Sequence, residues 1–242
     1  MVENNRYKRT IIKEHVHSKH LNQDRSIRIF LPPGYNELIS YPVVYCQDGE
    51  QFFNYGRIGT VATTLILEED VEPFIVVGID VDIETRTEEY SPDGDLYPHY
   101  CAFIAEELIP YIEDRVSARS EPEARILAGD SLGGTVSLHL ALLYPGLFHQ
   151  VLSFSGAFFE STLHAIQEES NLSELDIYML IGLQENDVET ARGRFDLLAL
   201  NRLTHQLLKE KQASVVYYEE DGTHVWGFWQ QYMAQALRHF LF

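Results

Sequence analysis

The run Gly129-Asp130-Ser131-Leu132-Gly133, continued by Gly134, has the spacing of a hydroxyl nucleophile carried on a sharp turn. A strand-like run, Ile126-Leu127-Ala128, precedes it, and a helix-like run with Val136, Leu138, Leu140 and Leu143 follows it. So tight a strand-to-helix turn strains the backbone of its central residue and lifts the Ser131 Oγ above the sheet edge. Side chains two residues to either side would collide there, so Gly129 and Gly133 are expected to serve by having none. A helix starting at Leu132 offers free N–H groups and a partial positive charge where an oxyanion would form, with the Leu132 N–H as first donor. These features suit attack of a hydroxyl on a carbonyl carbon.

A serine hydroxyl needs a base within hydrogen-bonding reach near neutral pH. After a turn of this kind the partners follow in the order serine, acid, histidine. Five histidines follow Ser131: His139, His149, His164, His205 and His224. His139 falls mid-helix, His149 just before a strand, and His164 and His205 at surface helix positions. His224 ends the turn Glu219-Glu220-Asp221-Gly222-Thr223-His224, between the strand-like Val215–Tyr218 and a final amphipathic stretch. That turn belongs at the sheet edge that carries Ser131. The acid is expected after the strand Ile177–Ile181, in Gly182-Leu183-Gln184-Glu185-Asn186-Asp187, where Glu185 and Asp187 are both candidates. A second oxyanion donor is expected from the loop after the third strand, Asp48-Gly49-Glu50-Gln51.

The elements that must position these groups show in the hydrophobic pattern. Residues 8–16 and 25–31 alternate polar and apolar, which predicts an antiparallel opening pair, and Pro32-Pro33-Gly34 turns the chain after it. Short runs apolar throughout then recur at Val43–Tyr45, Phe74–Ile79, Arg125–Ala128, Val151–Phe154, Ile177–Ile181 and Val215–Tyr218. Runs apolar on both faces suit strands of a mostly parallel sheet. Segments 99–116, 132–144, 195–211 and Trp226–Phe240 carry helical spacing. The order predicts an α/β sandwich with parallel crossovers and an antiparallel edge, its ligand beyond the carboxyl ends of the strands. Residues 157–175 are longer than a plain connector and are expected to form a short helical excursion near the site.

At 242 residues and 45% hydrophobic, the chain suffices for one domain with a sizeable core. The formal charge is −19. It is uneven: residues 1–28 carry seven Lys/Arg against three acids, which leaves −23 on the rest. That surface argues against nucleic-acid and membrane partners. No apolar run approaches the ~18 residues of a membrane span, and the polar start, Met1 to Thr10, lacks a signal-peptide core. A cytoplasmic location is expected. Cys46 and Cys101 form neither a disulfide framework nor a metal-binding spacing, and Cys46 reads as a buried thiol.

Asp48-Gly49-Glu50-Gln51-Phe52-Phe53, Arg86 with Glu89-Tyr90-Ser91-Pro92, the Ser131 turn, Phe154-Ser155-Gly156, and Gly222-Thr223-His224 with Trp229 have a combined meaning. Together they resemble the α/β-hydrolase family that includes esterase D, feruloyl esterase domains, trilactone siderophore esterases and the mycolyltransferases. The resemblance runs from about Arg25 to the C-terminus. It implies one α/β-hydrolase domain over 1–242, with helices on both faces of the sheet and little or no cap, the 157–175 excursion at most. It implies a serine esterase that forms an acyl-enzyme on Ser131, with His224 as general base, a small-molecule ester as substrate and neither metal nor organic cofactor. Relatives place the acid three residues after a strand-ending glycine, which favours Glu185 over Asp187. The second oxyanion N–H is then that of Glu50 or Gln51. Arg86 and Glu89 are expected to fix a loop by an ion pair. Many members have His-Gly where this chain has Asp48-Gly49, a variant of siderophore-esterase-like members, so a siderophore trilactone is one substrate option. The same serine could serve an acyltransferase or an amidase, and the fold could serve a binding protein without catalysis. Tyr55, Tyr90, Tyr97, Phe158 and Trp226 are candidates to line an aromatic pocket.

Overall fold

The computed structural model describes residues 8–190 and 192–242. Residues 1–7 of the polar N-terminal segment, and Ala191, lie outside them.

An eight-stranded sheet organises the chain. Its strands are β1 (Thr10–Ser18), β2 (Gln23–Leu31), β3 (Val43–Cys46), β4 (Ile75–Ile79), β5 (Arg125–Asp130), β6 (Gln150–Phe154), β7 (Asp176–Gly182) and β10 (Ser214–Glu220). Their spatial order is β1-β2-β4-β3-β5-β6-β7-β10. The β1/β2 and β2/β4 pairs are antiparallel, and every later pair is parallel. The opening pair closes two residues later in β1 than the alternation predicts.

The central strands are buried along their whole length, and their alternate side chains feed two different cores. Val43, Tyr45, Leu127, Ile177 and Met179 join one core with α6 (Leu132–Leu143), α7 (Glu160–Glu168) and α8 (Leu197–Glu210). Val44, Cys46, Ile126, Ala128, Tyr178 and Leu180 join the other, with α1 (Gly49–Asn54), α2 (Ile58–Glu68) and α9 (Trp226–Leu241). Two-face burial removes any need for polar alternation, which is why these strands read as continuous apolar runs.

The single helix expected over 99–116 is three pieces. These are α4 (Tyr97–Ala102), a π-helical turn (Phe103–Leu108) and α5 (Ile109–Arg115), with α3 (Arg86–Tyr90) before them. Pro110 lies in the first turn of α5. It has no N–H to continue the helical ladder, so the preceding turn widens. The expected 157–175 excursion is α7, whose Thr162 and Ile166 are buried against the body of the fold. The segment that overhangs the strand ends is a hairpin of β8 (Val188–Thr190) and β9 (Gly193–Phe195). Among the described residues no helix is long and apolar enough to cross a membrane.

Candidate active site

The loops that leave the carboxyl ends of β3, β5, β6, β7 and β10 converge. Ser131 follows β5 and precedes α6, with φ 53° and ψ −123°. Such a backbone costs about 1–3 kcal/mol for a residue with a side chain and persists only where its surroundings impose it. Here they do. The Ser131 N–H donates to the Phe154 carbonyl at 2.9 Å, and its own carbonyl accepts from the Ala157 N–H at 3.0 Å.

The two flanking glycines are needed for different reasons, which corrects the simple expectation of mutual collision. A Cβ on Gly129 would lie 2.1 Å from the Gly133 backbone carbon, so the turn cannot form with any other residue. A Cβ on Gly133 would instead meet Asp48 Oδ2 at 3.1 Å and Gln47 Cβ at 3.2 Å. Gly133 makes room for the loop after β3.

In that loop Asp48 is left-handed, with φ 52° and ψ 48°. Its carboxylate takes a bidentate pair of hydrogen bonds from Arg86, Nε to Oδ1 at 2.7 Å and Nη2 to Oδ2 at 2.8 Å. Glu89 has a different partner: it is fully buried and pairs with Arg25 at 2.8 Å. Arg86 Nη2 also reaches the Asp130 carbonyl at 3.3 Å, so one guanidinium ties the β3 loop to the Ser131 turn. Burial, and next the Asp48 carboxylate, push the Asp130 carboxyl up to about 8 against the opposing pull of Arg86. Gln51 differs from expectation. Its N–H donates to the Asp48 carbonyl at 2.9 Å, because Asp48 opens a helical turn. Of the two expected loop donors only the Glu50 N–H has no protein acceptor among the described residues. The N–H of Leu132, in the first turn of α6, is equally unpaired.

His224 lies between β10 and α9. Its Nδ1 is 2.7 Å from Glu185 Oε2, and its ring meets the Trp229 ring edge-on, with centroids 5.0 Å apart. Glu185 is fully buried. Its other oxygen, Oε1, accepts from the Ser155 hydroxyl at 2.6 Å and from the Gly182 N–H at 3.0 Å. The Trp229 Nε1–H donates to Ser155 Oγ at 2.8 Å. Asp187 is elsewhere: its exposed carboxylate pairs with Arg194 at 2.6 Å, which holds it below the usual carboxylate range. Spacing alone assigns no role to Ser155 or Trp229. Both stand in the segments that carry the family resemblance, but their side-chain partners are loops remote in sequence.

Ser131, Leu132 and His224 line one cavity of about 300 Å³, with Ile83, Arg86, Thr87, Ala157, Phe159, Glu189, Thr190 and Arg192. No hydrogen bond joins Ser131 to His224 here among the described residues. Phe159 and Arg192 also line a second, wider trough of about 600 Å³. Arg192 is held there by Ser91 at 2.9 Å and Asp93 at 2.7 Å, stacked over the Phe159 ring. None of the five expected pocket aromatics lines the cavity. Tyr90, Tyr97 and Phe158 are core residues, Tyr55 is exposed, and Trp226 packs edge-on against Phe52 with its Nε1–H on Gln51. Phe159, one residue beyond Phe158, takes the wall position.

A strained serine turn, parallel strands and an antiparallel edge define the class as an α/β-hydrolase. Residues 18–240 match the family Putative esterase. The uncharacterised protein YjcH of Bacillus subtilis strain 168 is 34% identical over 96% of this chain and 98% of its own length. A ferulic acid esterase structure superposes with a TM-score of 0.81 at 19% identity, covering 97% of this chain and 98% of that one. The enterobactin esterase FES of Shigella flexneri, crystallised in the presence of enterobactin, superposes with a TM-score of 0.83 at 21% identity, and the match covers 96% of this chain and 59% of that one. The chain belongs to this esterase family and is a carboxylic ester hydrolase.

Proposed function

We propose that the chain cleaves esters by two-step acyl transfer through Ser131, with His224 as general base and Glu185 as its orienting acid. One observation carries this reading. The imidazole shares a cavity with Ser131, while its Nδ1 is 2.7 Å from a fully buried carboxylate. With Nδ1–H given to Glu185, the Nε2 lone pair is the basic site.

His224 Nε2 takes the Ser131 proton as Oγ attacks the ester carbonyl carbon. The hydrogen bond this needs forms as substrate fills the cavity, since such contacts tighten in the substrate complex. The oxyanion is held by the Leu132 N–H and, from the β3 loop, the Glu50 N–H. The bond to the alcohol oxygen breaks, and the alcohol leaves with the proton from Nε2. Water then gives its proton to Nε2, attacks the acyl carbon and releases the acid, and Ser131 regains its hydrogen. Each oxyanion donor is worth about 10²–10³ in rate.

The cavity of about 300 Å³ suits one compact acyl or alcohol group, and the trough beyond Phe159 and Arg192 takes the larger remainder. A small ester with one extended or aromatic arm fits this shape better than a bulky trilactone. The test is a substrate panel of nitrophenyl esters, a feruloyl ester and a catecholate trilactone, run on wild type and Ser131→Ala. Wild type is expected to turn over the first two, and Ser131→Ala to fall to background. Near-normal turnover by Ser131→Ala would refute the assignment.

A further inference from the structure

Trp229 and Ser155 lie outside the cavity, yet the Ser155 hydroxyl ends on the carboxylate that faces His224 and the Trp229 indole ends on Ser155. The chemistry of each group makes this contact directional. An indole Nε1–H can only donate. At 2.8 Å from Ser155 Oγ it occupies one lone pair of that hydroxyl. The single Ser155 hydrogen must then go elsewhere, and Glu185 Oε1 lies 2.6 Å away. Oε1 also accepts from the Gly182 N–H at 3.0 Å. One oxygen of the carboxylate is thereby committed to two donors, and Oε2 is left for His224 Nδ1 at 2.7 Å.

The backbone is shaped for this aim. Ser155 is fully buried with φ 48°, a left-handed conformation that a residue with a side chain adopts at a cost. Its N–H donates to the Leu180 carbonyl on β7. Both features turn the hydroxyl from the end of β6 toward the loop after β7. No Arg or Lys pairs with Glu185 among the described residues, so the donors named above hold this buried carboxylate in place.

We infer that Ser155 and Trp229 are positioning residues that form a one-way donor chain, Trp229 to Ser155 to Glu185, with His224 on the other carboxylate oxygen. The chain pins the carboxylate rotor and so keeps the proton on Nδ1 and the lone pair on Nε2. This inference rests on the assignment of Ser131, His224 and Glu185 made above. A pinned carboxylate orients the base during proton transfer and has no contact with bound substrate, so losing the pin lowers kcat and leaves KM alone. Because Ser155 acts only through Glu185, its effect vanishes when Glu185 is gone.

The experiment measures kcat and KM on nitrophenyl acetate for wild type, Ser131→Ala, Ser155→Ala, Trp229→Phe, Glu185→Ala and the Ser155→Ala/Glu185→Ala double variant. Thermal unfolding of each is recorded alongside. Ser155→Ala is expected to lower kcat about 10- to 100-fold, the loss typical of a hydrogen bond to a charged group, with KM within about 2-fold. Trp229→Phe keeps an aromatic ring and removes the donor; its kcat is expected to fall about 3- to 10-fold. In the Glu185→Ala background Ser155→Ala is expected to cost nothing further. A wild-type kcat in Ser155→Ala, or the same fold-loss with and without Glu185, overturns the inference while Ser131→Ala remains inactive. Turnover by Ser131→Ala instead overturns the underlying assignment and the inference with it. Should Ser155→Ala not fold, Ser155→Gly, which removes the same hydroxyl at a positive φ that glycine adopts freely, decides the matter in the two Glu185 backgrounds by the same criterion.

Discussion

Glu185 and Asp187 share one short loop and one chemistry, and only their environments separate them. Glu185 is buried against His224, whereas Asp187 is exposed and paired with Arg194 on the hairpin. Asp187→Asn is expected to keep kcat within about 2-fold, since exposed ion pairs contribute little. Glu185→Gln is expected to lower kcat about 10³- to 10⁴-fold. The reason is geometric. Ser155 and the Gly182 N–H both donate to the Oε1 position, so the carboxamide oxygen must sit there and its NH₂ must face Nδ1. The imidazole then accepts at Nδ1 and carries its hydrogen on Nε2, where a base needs a lone pair. Steady-state hydrolysis of a nitrophenyl ester by the two variants checks this, and equal losses at both positions would contradict it.

At the scale of elements, legibility follows burial. Strands β3 to β7 are readable because both faces are covered, and the Ser131 turn because its spacing is dictated by backbone contact. Helix α2 is not: Ile58, Thr60, Val61, Thr63, Thr64 and Ile66 are β-branched, and its start at left-handed Arg57 has no side-chain cap. The hairpin is not either, since its strands are three residues each and largely exposed. The cavity wall therefore escapes a reading of the pattern. It is built from the hairpin, the 83–87 segment and Phe159, and nothing in the pattern tells Phe159 from its core-facing neighbour Phe158. The hairpin is fastened to the body through Arg192, Ser91 and Asp93. Arg192→Ala is expected to raise KM for a feruloyl ester about 3- to 10-fold, while nitrophenyl acetate, which has no arm to place in the trough that Arg192 also lines, changes by less than about 2-fold. The same increase for both esters would mean that the hairpin does not select by size.

Across the whole molecule, two buried titratable groups pull stability in opposite directions with pH. Burial, and next the Asp48 carboxylate, raise Asp130 to about 8; burial lowers His139 to about 4. Unfolded, they titrate near the ordinary values of 3.8 and 6.5. Between about pH 4 and 8 the folded protein therefore keeps a proton on Asp130 that the unfolded chain has lost, and this group's contribution falls as pH rises. Between about pH 4 and 6.5 the folded protein lacks a proton on His139 that the unfolded chain holds, and that contribution falls as pH drops. Each slope is about 1.4 kcal/mol per pH unit for one proton. The two cancel from about pH 4 to 6.5, and only the Asp130 slope remains from there to about pH 8. Asp130→Asn is thus expected to gain on wild type steadily as pH rises from about 4 to 8. His139→Gln is expected to gain on wild type as pH falls from 6.5 toward about 4, and to run parallel to it above 6.5. Taking each variant's stability as a difference from wild type at the same pH cancels the titrating groups that do not interact with the substituted one; for Asp130 the difference is that of Asp130 together with its neighbour Asp48. Denaturant unfolding at closely spaced steps from about pH 4 to just above 8 reads these differences directly, and curves that stay parallel throughout would show that neither group is shifted by folding.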